Sequence, residues 1–149
     1  MNRSLSHWLW VLGTLCVTLA ARAQPAAIEV ASLAELAGAA AGRGQTIRLT
    51  PGVYRMADYL TPAVLEEIRA GVDRTQRRPP VPMFVFRGDD NRFDLRGVVI
   101  EIDTALYRLL PTGGYTRCLI IAGARNHFDG LTLRFTGANH GSGGNTLSV

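Results

Sequence analysis

The chain has 149 residues, 47% of them hydrophobic and 19% charged, which suits one domain and excludes a disordered polar tail. All 16 strongly basic residues are arginine, against 12 acids, for a formal charge of +4. Two cysteines, Cys16 and Cys118, are too few for a four-cysteine zinc site.

Arg3 precedes an uncharged, mostly apolar run from Trp8 to Ala20, and Ala21-Arg22-Ala23 places small residues at both positions a signal peptidase reads. This layout predicts a signal peptide over residues 1–23 and a secreted or periplasmic destination. The run of about 13 residues is shorter than the roughly 20 needed to span a bilayer. No stable membrane anchor is therefore expected, and bulky Leu15 before Cys16 argues against a lipid anchor there. Residues 24–149 hold 14 arginines and 12 acids, too small an excess to indicate nucleic acid. They retain one thiol, so no disulfide within the chain is expected. Cys118, ahead of Leu119-Ile120-Ile121, reads as a core residue rather than a reactive thiol.

The N-terminal unit, 24–44, is expected to hold a short amphipathic helix. Leu33, Leu36, Ala37 and Ala40 recur at helical spacing within Ile28 to Ala41, Ser32 and Glu35 have the spacing of a capping box, and Gly42-Arg43-Gly44 stops the run. From Gln45 to Met56 the pattern alternates, with Pro51-Gly52 turning the chain. Thr61-Pro62 opens a second helix whose apolar face is Val64, Leu65 and Ile68, ended by Gly71. Asp73 to Pro80 is a basic loop closed by prolines, most simply a solvated surface.

Beyond Met83 the sequence repeats. Phe84-Val85-Phe86-Arg87-Gly88-Asp89-Asp90-Asn91-Arg92-Phe93-Asp94 is followed by Leu119-Ile120-Ile121-Ala122-Gly123-Ala124-Arg125-Asn126-His127-Phe128-Asp129, with Gly, Asn, Phe and Asp recurring at an offset of 35. The strands that follow, Gly97 to Ile102 and Gly130 to Phe135, recur at an offset of 33. A length change inside a turn is tolerated by stacked repeats. Each copy reads as strand, tight Gly-x-x-Asn turn, inward Phe and second strand. Stacking would pair each strand with its equivalent at about 4.8 Å. Asn91 and Asn126 suit a left-handed turn position and an amide ladder, and Phe93 and Phe128 an aromatic ladder. Asp103 to Arg117 is expected to be an exposed loop.

Thr46-Ile47-Arg48-Leu49-Thr50-Pro51-Gly52-Val53-Tyr54 resembles the opening coil of right-handed parallel β-helix proteins, the pectin-lyase-like superfamily, and the later Gly-x-x-Asn-x-Phe-Asp and Gly-Leu-Thr-Leu elements are similar to its turn-and-strand repeats. The resemblance spans about Glu29 to Val149. It implies an all-β solenoid, a right-handed parallel β-helix with an N-terminal capping helix, whose first two or three coils occupy 45–149. Members include polysaccharide lyases, glycoside hydrolases, epimerases and noncatalytic adhesins, so the motifs specify fold more than activity. Asn145 to Val149 looks like another strand beginning, and the chain is expected to be the N-terminal part of a longer protein.

The candidate site residues follow from the chemistry such proteins need. A lyase requires a base beside a uronate and a cation to neutralise its carboxylate. Arg134, outward by alternation with Leu133 and Phe135, suits the cation. Tyr107, Arg108 and Tyr115 could line a sugar groove, and His140 in its Gly-rich turn could serve as a base. Asp94 and Asp129, expected about 5 Å apart on stacked coils, could hold calcium or form an acid/nucleophile pair. The plainer reading of them is turn-capping. No metal or cofactor is otherwise evident, and the resemblance allows Ca2+. The expected function is that of an exported protein acting on an acidic polysaccharide by elimination or hydrolysis, the present chain itself inactive. The alternative is a noncatalytic carbohydrate-binding or adhesive shaft. A small cytosolic binding domain is a third reading, which a genuine signal peptide would eliminate.

Overall fold

A computed structural model of the chain describes residues 26–111 and 115–137. The expected signal peptide and His140 lie outside them. Most of the described secondary structure is strand, held in three parallel sheets with a few short helices. Ile28–Val30 (β1) leads into Leu33–Ala39 (α1), then Thr46–Leu49 (β2) and Gly52–Arg55 (β3). Met56–Tyr59 (α2) and Pro62–Ala70 (α3) precede Pro80–Phe86 (β4), Arg92–Asp94 (β5) and Val98–Asp103 (β6). A 3-10 helix, Thr104–Leu109, separates β6 from Tyr115–Ile121 (β7), and His127–Asp129 (β8) and Thr132–Thr136 (β9) follow.

The sheets run β1-β2-β5-β8, β3-β6-β9 and β4-β7, every pairing parallel. From β2 onward the chain therefore visits the three sheets in a fixed cycle, each circuit laying its strands beside those of the one before. The register reproduces the repeat. Phe84 pairs with Leu119, Phe93 with Phe128 and Asp94 with Asp129 at the offset of 35, whereas Ile100 pairs with Leu133 at 33.

Side-chain alternation puts one row of each strand into a common core. Ile47, Phe93 and Ile100 are fully buried, with Phe84, Phe86, Leu95 and Ile102. Phe93 and Phe128 stack at 4.7 Å and 11°, and Phe86 meets both rings edge-on at 4.9 Å. Burying one such ring is worth about 1.5–3 kcal/mol. Cys118 is half-buried against this core.

The turns stack as closely as the strands. Gly42-Arg43-Gly44-Gln45, Gly88-Asp89-Asp90-Asn91 and Gly123-Ala124-Arg125-Asn126 occupy equivalent places. The Asn91 carboxamide accepts from Gln45 N at 2.9 Å and donates to the Gly42 carbonyl at 2.8 Å. Asn126 accepts from Asn91 N at 2.9 Å and donates to the Gly88 carbonyl at 2.7 Å. The ladder thus joins side chain to backbone rather than amide to amide. The left-handed positions are Gly44, Asp90 and Arg125, at φ 65, 59 and 56, one residue ahead of the expected asparagines. The chain must reverse before the amide can point back into the stack. Gly88 and Gly123 are required by close approach: a methyl on Gly88 would lie 1.7 Å from the Gly42 carbonyl oxygen.

Three other expectations are corrected. The run from Ile28 is not helical at its start, because Ile28 to Val30 pair with Ile47 to Leu49. The helix begins at Leu33, where Ser32 accepts from Glu35 N and Glu35 accepts from Ala31 N. Met56 ends no strand but starts α2, its side chain fully buried. Asp103 to Arg117 is not simply a loop, since the Asp103 carboxylate caps the 3-10 helix through Ala105 N and Tyr115 already belongs to β7. The helix at Pro62 and its end at Gly71 form as expected, with Thr61 accepting from Val64 N.

Candidate functional site

Outward residues of the four-stranded sheet form a charged face. Glu29, Arg48, Asp94 and Asp129 share one row across β1, β2, β5 and β8, while Thr46, Arg92 and His127 share the next. Arg48 donates to Glu29 and to Asp94, both at 3.0 Å. Arg96 grips Asp94 through Nε at 2.8 Å and Nη2 at 2.7 Å. Asp129 accepts from Arg92 at 2.9 Å and lies 3.1 Å from His127 Nε2. The Arg96 guanidinium also feels the Asp129 charge, so the two halves form one network.

The same motif recurs elsewhere. Glu101 on β6 lies between Arg55 on β3, at 3.8 Å, and Arg134 on β9, at 2.9 Å. Asp90 lies between Arg43 and Arg125 of the turns before and after. Arg48, Arg55, Arg92, Arg96 and Arg134 keep 47–73% of their side chains exposed. Their outer faces remain open to a ligand while a carboxylate fixes their position.

The electrostatics of the carboxylates follow from these partners. The Arg96 hydrogen bonds hold Asp94 well below the usual carboxylate range, against the opposing effect of its burial. Arg125 and Arg43 bring Asp90 down to about 2. Asp129 is lowered by Arg92 first and His127 next. A general acid requires the opposite shift, so Asp94 and Asp129 supply no proton donor at neutral pH. They do stand side by side in register, as expected from the repeat. Arginines already occupy oxygens that a calcium ion would need, and no group of three or more His, Cys, Asp or Glu side chains suited to a metal occurs among the described residues.

The remaining candidates are dispersed. Arg134 faces outward as expected, with Glu101 as its counter-ion. Tyr107 and Arg108 lie on the 3-10 helix. The Tyr107 hydroxyl is 2.7 Å from the Cys118 thiol. Burial, with this contact adding to it, raises the Tyr107 pKa far above its ordinary value. Desolvation likewise pushes the Cys118 thiol up. Arg108 is exposed. Tyr115 begins β7, paired in the backbone with Pro80.

The residues of these two faces not anticipated include Arg48, Arg55, Arg92, Arg96, Glu101 and His127. The signal for His127 was present, because the offset of 35 sets it on Arg92 and its Asp partner two residues on. A cleft of about 230 Å³, lined by α1, β3 and α2 residues including Leu33, Tyr54, Asp58 and Tyr59, takes in Arg55 of the charged set but none of the residues expected from the sequence. No protein-family model and no curated protein matches the chain.

Proposed function

We propose that the chain is exported and that its described circuits are the opening coils of a right-handed parallel β-helix, a solenoid of the pectin-lyase-like kind, that holds an acidic polysaccharide. One observation carries the binding role: on two exposed faces arginines alternate with carboxylates across the strands, Arg55, Glu101 and Arg134 on one and Arg48 between Glu29 and Asp94 on the other, each guanidinium held by an acid yet open to solvent. Arg55 and Arg134 lie two strand spacings apart, roughly 10 Å, a separation that suits alternate charges of a linear polyanion lying along the stack, and preorganisation lowers the entropic cost of engaging it. The cyclic order of the sheets and the asparagine and phenylalanine ladders support the coil reading. A lyase or hydrolase activity is the fuller form of the proposal. The lowered pKa values of Asp90, Asp94 and Asp129 leave these carboxylates ionised and supply no general acid; a binding shaft without catalysis of its own is the other form.

Calorimetric titration with polyuronates and with an uncharged polysaccharide tests the reading. Binding to the acidic polymers alone, weakened by salt and by Arg92→Ala or Arg134→Ala, is expected. Equal affinity for the uncharged polymer, or none for any polyuronate at low salt, refutes it. Release of unsaturated uronate or reducing ends in the same mixtures separates enzyme from shaft.

A further inference from the structure

The cleft bounded by α1, β3 and α2 shares Arg55 with the charged face of β3, β6 and β9. The Arg55 guanidinium is 72% exposed, and its 3.8 Å pair with Glu101 is longer than the 2.9 Å pair of Arg134. Of the two arginines, Arg55 is therefore the freer to take a second carboxylate. Residues of opposite orientation on β3 line the cleft together, Tyr54 with Val53 and Arg55. A space shared by both sides of a strand lies along its edge, and β6 takes the other edge of β3. The cleft thus continues the line that runs from Arg134 through Glu101 to Arg55.

Its lining suits one sugar ring. Tyr59 is half-buried and tilted against Phe84 at 5.2 Å, and Tyr54 is held by its hydroxyl, which donates to the Thr50 carbonyl at 2.6 Å. Both rings are thereby fixed before a ligand arrives, and their apolar bodies offer contact to the C–H face of a sugar. The Ser32 hydroxyl accepts from Glu35 N and keeps its own proton to donate. Asp58 is exposed, and its carboxylate accepts from ring hydroxyls. Arg55 supplies the fork that matches a uronate carboxylate. At about 230 Å³, the cleft is smaller than the roughly 300–1,000 Å³ of sites for drug-sized ligands. It has room for a ring and not for a chain passing through.

We infer that the cleft receives the terminal uronate of an acidic polysaccharide, whose next residues run along the stack toward Arg134. The inference rests on the acidic-polysaccharide reading proposed above and adds that the polymer is recognised by its end. Arg55 binds the terminal carboxylate, and Arg134, roughly 10 Å further along the stack, binds that of the third residue. A trimer is then the shortest oligouronate that engages both arginines.

Nuclear magnetic resonance titration of the full chain with glucuronate, galacturonate, galactose and trigalacturonate tests this. The two uronates are expected to shift the Ser32, Tyr54, Asp58 and Tyr59 amides with one site per chain, and galactose is not. The trimer binds at least about tenfold tighter than the monomer, and Arg134→Ala removes most of that gain. Ala34→Trp fills the cleft from an exposed position and abolishes the monomer response. Asp58→Asn, which keeps the shape of the side chain, weakens it at least about threefold. Polyuronate binding that leaves the cleft amides unmoved, or trimer affinity unaltered by Asp58→Asn and by a folded Ala34→Trp, overturns end recognition while the polysaccharide reading stands. Galactose bound as tightly as the uronates overturns it as well. If no polyuronate binds at low salt, the polysaccharide reading fails and this inference with it.

Discussion

Replacing Asn91 by alanine removes the middle rung of the asparagine ladder. Asn91 is 1% exposed, and its carboxamide satisfies two backbone groups, Gln45 N and the Gly42 carbonyl, that strand pairing leaves unmatched. A fully buried backbone group deprived of its partner costs about 1–3 kcal/mol; these two bonds are part-buried, so Asn91→Ala is expected to cost about 2–4 kcal/mol. Its own N–H keeps its bond to Asn126, which limits the damage to one junction between circuits. Asn126→Ala breaks the equivalent pair of bonds at a half-buried position. Water can replace part of that loss, and roughly half the cost is expected. Urea unfolding followed by far-ultraviolet circular dichroism at neutral pH measures both, provided the slope is unchanged. A loss below about 0.5 kcal/mol for Asn91→Ala, or a larger loss for Asn126→Ala, would refute the ladder as a principal tie between the circuits.

Acid should loosen the stack in a defined window. Asp90, held at about 2 by Arg125 and Arg43, together with the lowered Asp94 and Asp129, contributes stability that is present above the ordinary carboxylate value near 3.8. That contribution is lost as pH falls from about 4 toward 2; denaturant midpoints should be flat above about pH 5, and Asp90→Asn should flatten the acid limb. A limb unchanged by Asp90→Asn would show that the arginine clamp adds nothing. Gly88→Ala drives a methyl against the Gly42 carbonyl oxygen, a backbone atom that cannot swing aside; at least about 3 kcal/mol is expected, and a soluble variant with an unchanged melting curve would contradict the turn stacking. Cys118, half-buried with its pKa raised by desolvation, should react with a thiol reagent at mildly alkaline pH at least about tenfold more slowly than in urea. Equal rates would place the thiol at the surface.

The fold was legible wherever periodicity and repetition acted together. An offset of 35 that changes to 33 within a turn could be read from the residues of two copies, and the strand register obeys it because parallel stacking forces equivalent residues side by side. Local chemistry sufficed for Ser32 and Thr61 as helix caps, for Pro62 as a helix start and for Gly71 as its end. The earliest copy of the turn, Gly42-Arg43-Gly44-Gln45, escaped notice because Gln replaces Asn and the spacing to the next copy is 46 rather than 35. The β1 strand escaped as well. Its three residues sit in an alanine-rich run, and only pairing with β2 makes them a strand.

The candidate site was less legible. The sequence identifies charged residues on an alternating strand as outward, and Arg134 duly faces out. It does not tell which carboxylate each arginine takes. Apart from Arg96, two residues from Asp94, that choice depends on neighbours 19 to 47 residues away that only the stack brings within 3 Å or so. Asp94 reads most simply as a turn cap, and it does accept from Arg96 N at 3.4 Å; its lowered pKa comes first from the same local Arg96 and then from Arg48, whereas Asp129 takes Arg92 from the neighbouring strand. Tyr107 reads as a packed ring more readily than as one lining a sugar groove, and the structure packs it, with its hydroxyl on the Cys118 thiol. By itself the sequence determined the repeat, its register and the direction each side chain points, because these follow from local geometry with a period of two. Only the tertiary structure decided which charges neutralise one another and how deeply each apolar row is buried. Coulombic pairing and burial depend on distances through space, which a parallel stack sets by strand spacing rather than by separation along the chain.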